Sequence, residues 1–89
     1  MSEKSFTLEI LTPERTVFTG PVVSLVAPAA LGYLGVLANH APFVSTLTPG
    51  KIICRRSGGQ PEIFPSAGSG LVEVYKNRAT VLADRIEHT

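Results

Sequence analysis

Apolar and polar residues alternate along most of this chain with the period of two that marks a half-buried β-strand. Phe6, Leu8 and Ile10 stand against Thr7 and Glu9. Val23, Leu25 and Ala27 share one side while Ser24 and Val26 share the other. Near the end, Val72 and Val74 fall on one face, and Ala79, Val81 and Ala83 alternate with Thr80, Leu82 and Asp84. The pattern predicts strands over residues 6–10, 16–19, 22–27, 33–37, 43–47, 51–57, 62–64, 71–75 and 78–84. Turn chemistry separates them: Thr12-Pro13-Glu14-Arg15, Gly20-Pro21, Thr48-Pro49-Gly50, the loop from Ser57 to Pro61, and Lys76-Asn77. The strand 62–64 is expected to stop at Pro65, and Gly68-Ser69-Gly70 is expected to be a turn. Seven prolines and eight glycines leave no window long enough for a helix. Short strands with regular turn signals predict an all-β sandwich or flattened barrel.

A chain of 89 residues and 44% hydrophobic composition suits one domain spanning residues 1–89 with one core. Its mass implies about 5,000 Å² of folded surface, of which a standard partner footprint of about 800 Å² would cover roughly 16%. Net charge is only +1, so no large positive field exists to neutralise phosphates. Lys51, Arg55 and Arg56, with Phe43 as the nearest aromatic, make a basic cluster better suited to solvent or an acidic partner. Cys54 is the sole cysteine, which excludes an internal disulfide and favours a reducing compartment. Sharing a face with Ile52, it is expected to be a buried, inert thiol. Residues 25–31 form the longest apolar run, interrupted by Pro28 and too short for a membrane helix.

Candidate chemistry is sparse. Histidine occurs only at 40 and 88, and no further ligands stand at metal-binding spacing. A nucleophilic set could be imagined from His40, Cys54 and Asp84, but the strand position of Cys54 speaks for core. Gly58-Gly59 and Gly68-Ser69-Gly70 lack the lysine and the helix of a phosphate loop. No catalytic, cofactor-binding or metal-ligating residue is assigned. Attention falls instead on residues 32–50, where Gly32, Gly35, His40, Pro42 and Pro49-Gly50 make a looped, half-apolar ridge suited to contact.

That ridge carries a resemblance. Gly32-Tyr33-Leu34-Gly35-Val36-Leu37-Ala38-Asn39-His40-Ala41-Pro42, followed by Thr46-Leu47-Thr48-Pro49-Gly50, is similar to the epsilon subunit of the F-type ATP synthase. Residues 8–20 resemble that family's opening hairpin. Gly70-Leu71-Val72-Glu73-Val74 and Thr80-Val81-Leu82-Ala83-Asp84 resemble its final strands. The resemblance implies a flattened ten-stranded β-sandwich, here without the helical hairpin that follows in most members. It implies a non-catalytic central-stalk subunit that links gamma to the membrane c-ring and couples proton transport to ATP synthesis. One copy per complex, monomeric when isolated, would sit peripherally on the cytoplasmic face of a bacterial inner membrane or the equivalent organellar face.

By the same analogy, Gly32, Tyr33 and Leu34 would lie toward the c-ring, and Thr12, His40, Ala41 and Pro42 toward gamma. Tyr33 is expected to project outward. The chain departs from the family at Leu31 and Tyr33, where acidic residues are common, and at Ala38, where proline is usual. The end at Thr89 is expected to be that of a naturally short subunit, so the inhibitory and nucleotide-sensing roles of the helical domain are not assigned. The alternative is an unrelated β-sandwich binding module or enzyme using the His40 loop as its pocket. Tight association with a gamma-like subunit and no small-molecule turnover would separate the two.

Overall fold

The computed structural model describes residues 3–87, leaving His88 outside the described residues. Eight strands follow in order: β1 (Phe6–Leu11), β2 (Thr16–Val22), β3 (Ser24–Ala29), β4 (Gly32–Val36), β5 (Phe43–Leu47), β6 (Gly50–Arg55), β7 (Pro61–Tyr75) and β8 (Arg78–Ile86). They join in the path β2-β1-β8-β7-β5-β3-β4, with β6 bridging β3 and β7. Every pairing is antiparallel except β1 with β8, which run parallel from Thr7 opposite Arg78 to Leu11 opposite Leu82.

The sheet folds on itself along β7. Its first part, from Pro61 to Ser66, pairs with β6, and its second, from Gly70 to Val74, pairs with β5. The two wings close over one apolar interior, where Phe18 of β2 meets Phe64 of β7 edge-on at 5.8 Å between ring centroids. The alternation read from the sequence sets the inner faces: Phe6, Leu8 and Ile10; Leu25 and Ala27; Ile52 and Cys54; Val72 and Val74; Ala79, Val81 and Ala83. The accessible surface is 5341 Å², close to what the mass implies.

Several strand boundaries differ from expectation, and the largest departures have backbone reasons. The nine strands read from the pattern become eight among the described residues because β7 does not break, and the ten implied by the resemblance are not reached. Pro65 interrupts nothing: its carbonyl accepts from Glu87 N, so its ring nitrogen faces that same side, where the β8 ladder ends at Ile86, and the pairing with β6 loses no donor. Gly68-Ser69-Gly70 is not a turn but the irregularity between Ala67 and Gly70 where β7 changes partners. Likewise Gly20-Pro21 does not end β2, which continues to Val22 because it is an edge strand that tolerates proline. The Lys76-Asn77 turn stands as expected, with φ of 49° and 61°, the double positive pair of a tight type I′ hairpin.

Candidate interaction surfaces

Period-two alternation leaves a second set of residues facing outward, and on β1, β8 and β7 that set includes a row of leucines. Leu11 stands opposite Leu82, Leu82 opposite Leu71, and Leu71 opposite Thr46, forming one row across four strands. The next row is Glu9, Thr80, Glu73 and Val44, held at one side by the Arg78–Glu9 ion pair of 3.3 Å. Val44 is 64% exposed, Leu82 41% and Leu71 38%, so both rows remain open to solvent.

The gamma-side candidates lie at the two ends of this face. Thr12 follows Leu11 in a turn closed by Thr12 N and its hydroxyl, both donating to Arg15 O at 2.9 and 3.3 Å. Thr12 also borders a shallow hollow with Ser69, Gly70, Leu82 and Asp84. At the far end, Pro42 borders a second hollow with Val44, Glu73 and Tyr75. Thr12 and Pro42 are therefore not neighbours, but both border the same outward face, and His40 and Ala41 precede Pro42 in the 37–42 loop. Sequence reasoning missed Val44, Leu71 and Leu82, which lie between them. The signal was available: in each, an apolar residue occupies the polar phase of its strand.

The His40 loop is held by Asn77. Asn77 Oδ1 accepts from Asn39 N at 2.7 Å, its Nδ2 donates to Ser5 O at 3.0 Å, and its carbonyl accepts from Thr7 N at 3.2 Å. One turn residue thus ties the start of β1 to the 37–42 loop. His40 N donates to Leu37 O, and its ring lies edge-on to Phe43. His40 Nδ1 is 2.7 Å from Ala41 O, and because a carbonyl only accepts, that nitrogen carries the proton. Cys54 and Asp84 take no part: Cys54 lies in the interior on β6, and the Asp84 carboxyl lies over Gly68. Burial, with a smaller contribution from the charge of Glu62, pushes the Cys54 thiol up to about 11.

The ring-side candidates lie on the other wing. Gly32 opens β4 at φ 122°, beyond the turn at Ala30 and Leu31. Leu34 is half-buried, packing against the core while also lining a surface hollow with Gly32 and Tyr33. Tyr33 is 61% exposed, and its outward-lying side chain is also tied down: its hydroxyl accepts from Lys51 N at 3.2 Å and lies over Gly50. A Cβ on Gly50 would stand 2.7 Å from that hydroxyl and 3.0 Å from Pro28, so only glycine lets Tyr33 lie there. The basic cluster is also reassigned. Arg55 pairs with Glu3 at 2.8 Å, and Arg56 pairs with Glu62 and lies 4.8 Å over the Phe18 ring, not Phe43. Hydrogen bonding to Arg55 holds the Glu3 carboxyl below its usual range.

Comparison with known proteins agrees with this architecture. The chain is 42% identical over 79 residues to the ATP synthase epsilon chain of Dichelobacter nodosus, covering 89% of this chain and 54% of that one. It is 40% identical over 85 residues to the epsilon chain of Moorella thermoacetica, covering 96% and 63%. With the epsilon chain of Chlorobaculum tepidum it shares 38% identity over 85 residues, covering 96% of both. The chain thus spans little more than half the length of some curated relatives and nearly all of another. Among solved structures, a chain of the Euglena gracilis mitochondrial ATP synthase superposes with a TM-score of 0.86 at 20% identity, covering 93% of this chain and 52% of its own length. A chain of the Tetrahymena thermophila central stalk and c-ring does so with 0.76 at 14%, covering 98% and 69%. Residues 5–89 match the family described as the ATP synthase delta/epsilon chain β-sandwich domain, and the chain belongs to that family.

Proposed function

We propose that this chain is a non-catalytic rotor subunit of an F-type ATP synthase, joining gamma to the c-ring so that proton-driven rotation reaches the catalytic head. The observation that carries this reading is the outward row Leu11, Leu82 and Leu71, bordered by Thr12 at one end and by Pro42, which follows His40 and Ala41 in the chain, at the other. A row of leucines on the solvent side of a folded sheet favours burial against a partner. In this reading the row and its rims face gamma, while the β3–β4 hairpin with Gly32, Tyr33 and Leu34 faces the ring. Both structural neighbours come from ATP synthase assemblies that contain the c-ring. Family membership speaks against the alternative of an unrelated binding module or enzyme.

Transmitting torque favours a stiff body. Here stiffness comes from a closed interior and from loops tied to strands by Asn77 and Tyr33. No helix among the described residues is long and apolar enough to cross a membrane. Peripheral attachment at the cytoplasmic or equivalent organellar face, in one copy, would come through the complex. The test is reconstitution: the chain is added to epsilon-depleted ATP synthase in vesicles, and ATP-driven proton pumping is followed. Restored pumping per ATP hydrolysed is the expected result. Unchanged pumping despite a correctly folded chain would contradict the proposal.

A further inference from the structure

Asn39 is one of three non-glycine residues with positive φ among those described, and the other two, Lys76 and Asn77, form the turn that holds it. Its own turn runs from Leu37 to His40 and is closed by His40 N donating to Leu37 O at 3.2 Å. With φ of 64° at Asn39 and no positive φ at Ala38, this is the geometry of a type II turn. Ala-Asn permits that form without imposing it. Type I, with negative φ at both central positions, suits most residues, whereas type II needs the positive φ that asparagine tolerates and glycine favours. The two forms differ in how the peptide between Ala38 and Asn39 is turned. That peptide makes no bond inside the turn, whose internal bond uses Leu37 O and His40 N.

An outside acceptor therefore sets the peptide, and Asn77 supplies it. Its Oδ1 accepts from Asn39 N at 2.7 Å, while its Nδ2, donating to Ser5 O at 3.0 Å, stops the amide from rotating. The two ends of the amide are fixed by their partners, because a backbone N–H only donates and a carbonyl only accepts. The peptide is planar and trans, so aiming Asn39 N–H at Asn77 sends Ala38 O the other way. A flip to type I would exchange those two groups and swing the Asn39 side chain, one residue from His40. We infer that Asn77 is a positioning residue for the His40 loop: its side chain holds the Ala38–Asn39 peptide in the type II orientation, and that is the form in which the loop binds gamma. The inference rests on the gamma-side reading of His40-Ala41-Pro42 given above.

The experiment follows the turn by NMR and gamma binding by affinity for the epsilon-depleted, gamma-containing head, with each variant's melting temperature recorded. A close contact between Ala38 Hα and Asn39 N–H marks the type II form, because only there does ψ of Ala38 bring the two together. Asn77→Gly keeps the positive φ of its hairpin and the bond from Thr7 N to the carbonyl at 77, and loses only the side chain. It should weaken that contact and lower affinity about two- to fivefold, the scale of one net hydrogen bond, in step with the type II population lost. Asn77→Asp keeps an acceptor for Asn39 N and loses only the donor to Ser5 O, so it should stay near wild type in both readouts. Adding Ala38→Pro and Asn39→Gly to the Asn77→Gly chain should restore both, since Pro-Gly chooses type II unaided. General loosening of the fold would not be cured in this way. A turn that stays type II in Asn77→Gly overturns the inference, and so does an equal loss in Asn77→Asp. Ala41→Trp crowds the loop at an exposed position and separates the inference from the reading beneath it. If Ala41→Trp abolishes gamma binding while a flipped turn in Asn77→Gly leaves it unchanged, the inference fails alone. If both variants bind as wild type does, the gamma-side reading of this loop fails with it.

Discussion

Cys54 shows how one position fixes both packing and chemistry. Facing inward beside Ile52 and only 1% exposed, it is held as a thiol by the lack of water around it. A thiol raised from 9.0 to about 11 keeps its proton after the unfolded chain has lost its own. The unfolded state then binds fewer protons than the folded one, so this residue's contribution falls as pH rises from about 9 to about 11. The slope attributable to one such group is at most about 1.4 kcal/mol per pH unit. Denaturation of the protein and of Cys54→Ala across that range should show the wild type losing stability relative to the variant. Parallel curves would mean the thiol is not desolvated. Rapid modification by a thiol reagent in the native state would speak against burial in the same way.

At the scale of elements, Gly70 decides how β7 serves both wings. A Cβ there would overlap the carbonyl oxygen of Leu82, so the strand can shift register against β8 only with glycine at this point. Gly70→Ala should destabilise the protein by about 2 kcal/mol or more, as forced overpacking does. Chemical denaturation measures this directly, and a neutral outcome would mean the bulge relaxes freely. The alternating inner faces and the Lys76-Asn77 turn were legible in the sequence because each follows from local periodicity or backbone preference. The continuity of β7 was not. Whether Pro65 ends a strand depends on which edge its nitrogen faces, and a neighbour more than twenty residues away decides that. The parallel pairing of β1 with β8 is equally non-local. The candidate surfaces were half visible: motif resemblance marked Thr12 and His40-Ala41-Pro42, but the leucine row appears only once register brings three strands side by side. The brace on Tyr33 was not legible because it depends on Gly50, seventeen positions later.

For the molecule as a whole, the account requires two contact regions carried by one stiff body. One is the outward leucine face rimmed by Thr12 and Pro42, and the other is the uncharged β3–β4 hairpin on the opposite wing. Asn77 and Tyr33 make each region part of the folded body rather than a loose loop. The central claim is that the leucine face is where gamma is held, and substitution at its centre tests it most directly. Leu71 points outward and sits in the middle of the row, so a lysine there disturbs the surface without entering the interior. A charge placed at the core of an apolar interface typically costs about 2 kcal/mol or more, roughly 30-fold in affinity. The measurement is the affinity of Leu71→Lys for the gamma-containing head, with the melting temperature recorded alongside. A loss of about 30-fold at unchanged melting temperature is the expected result. Wild-type affinity in a correctly folded variant would contradict the account.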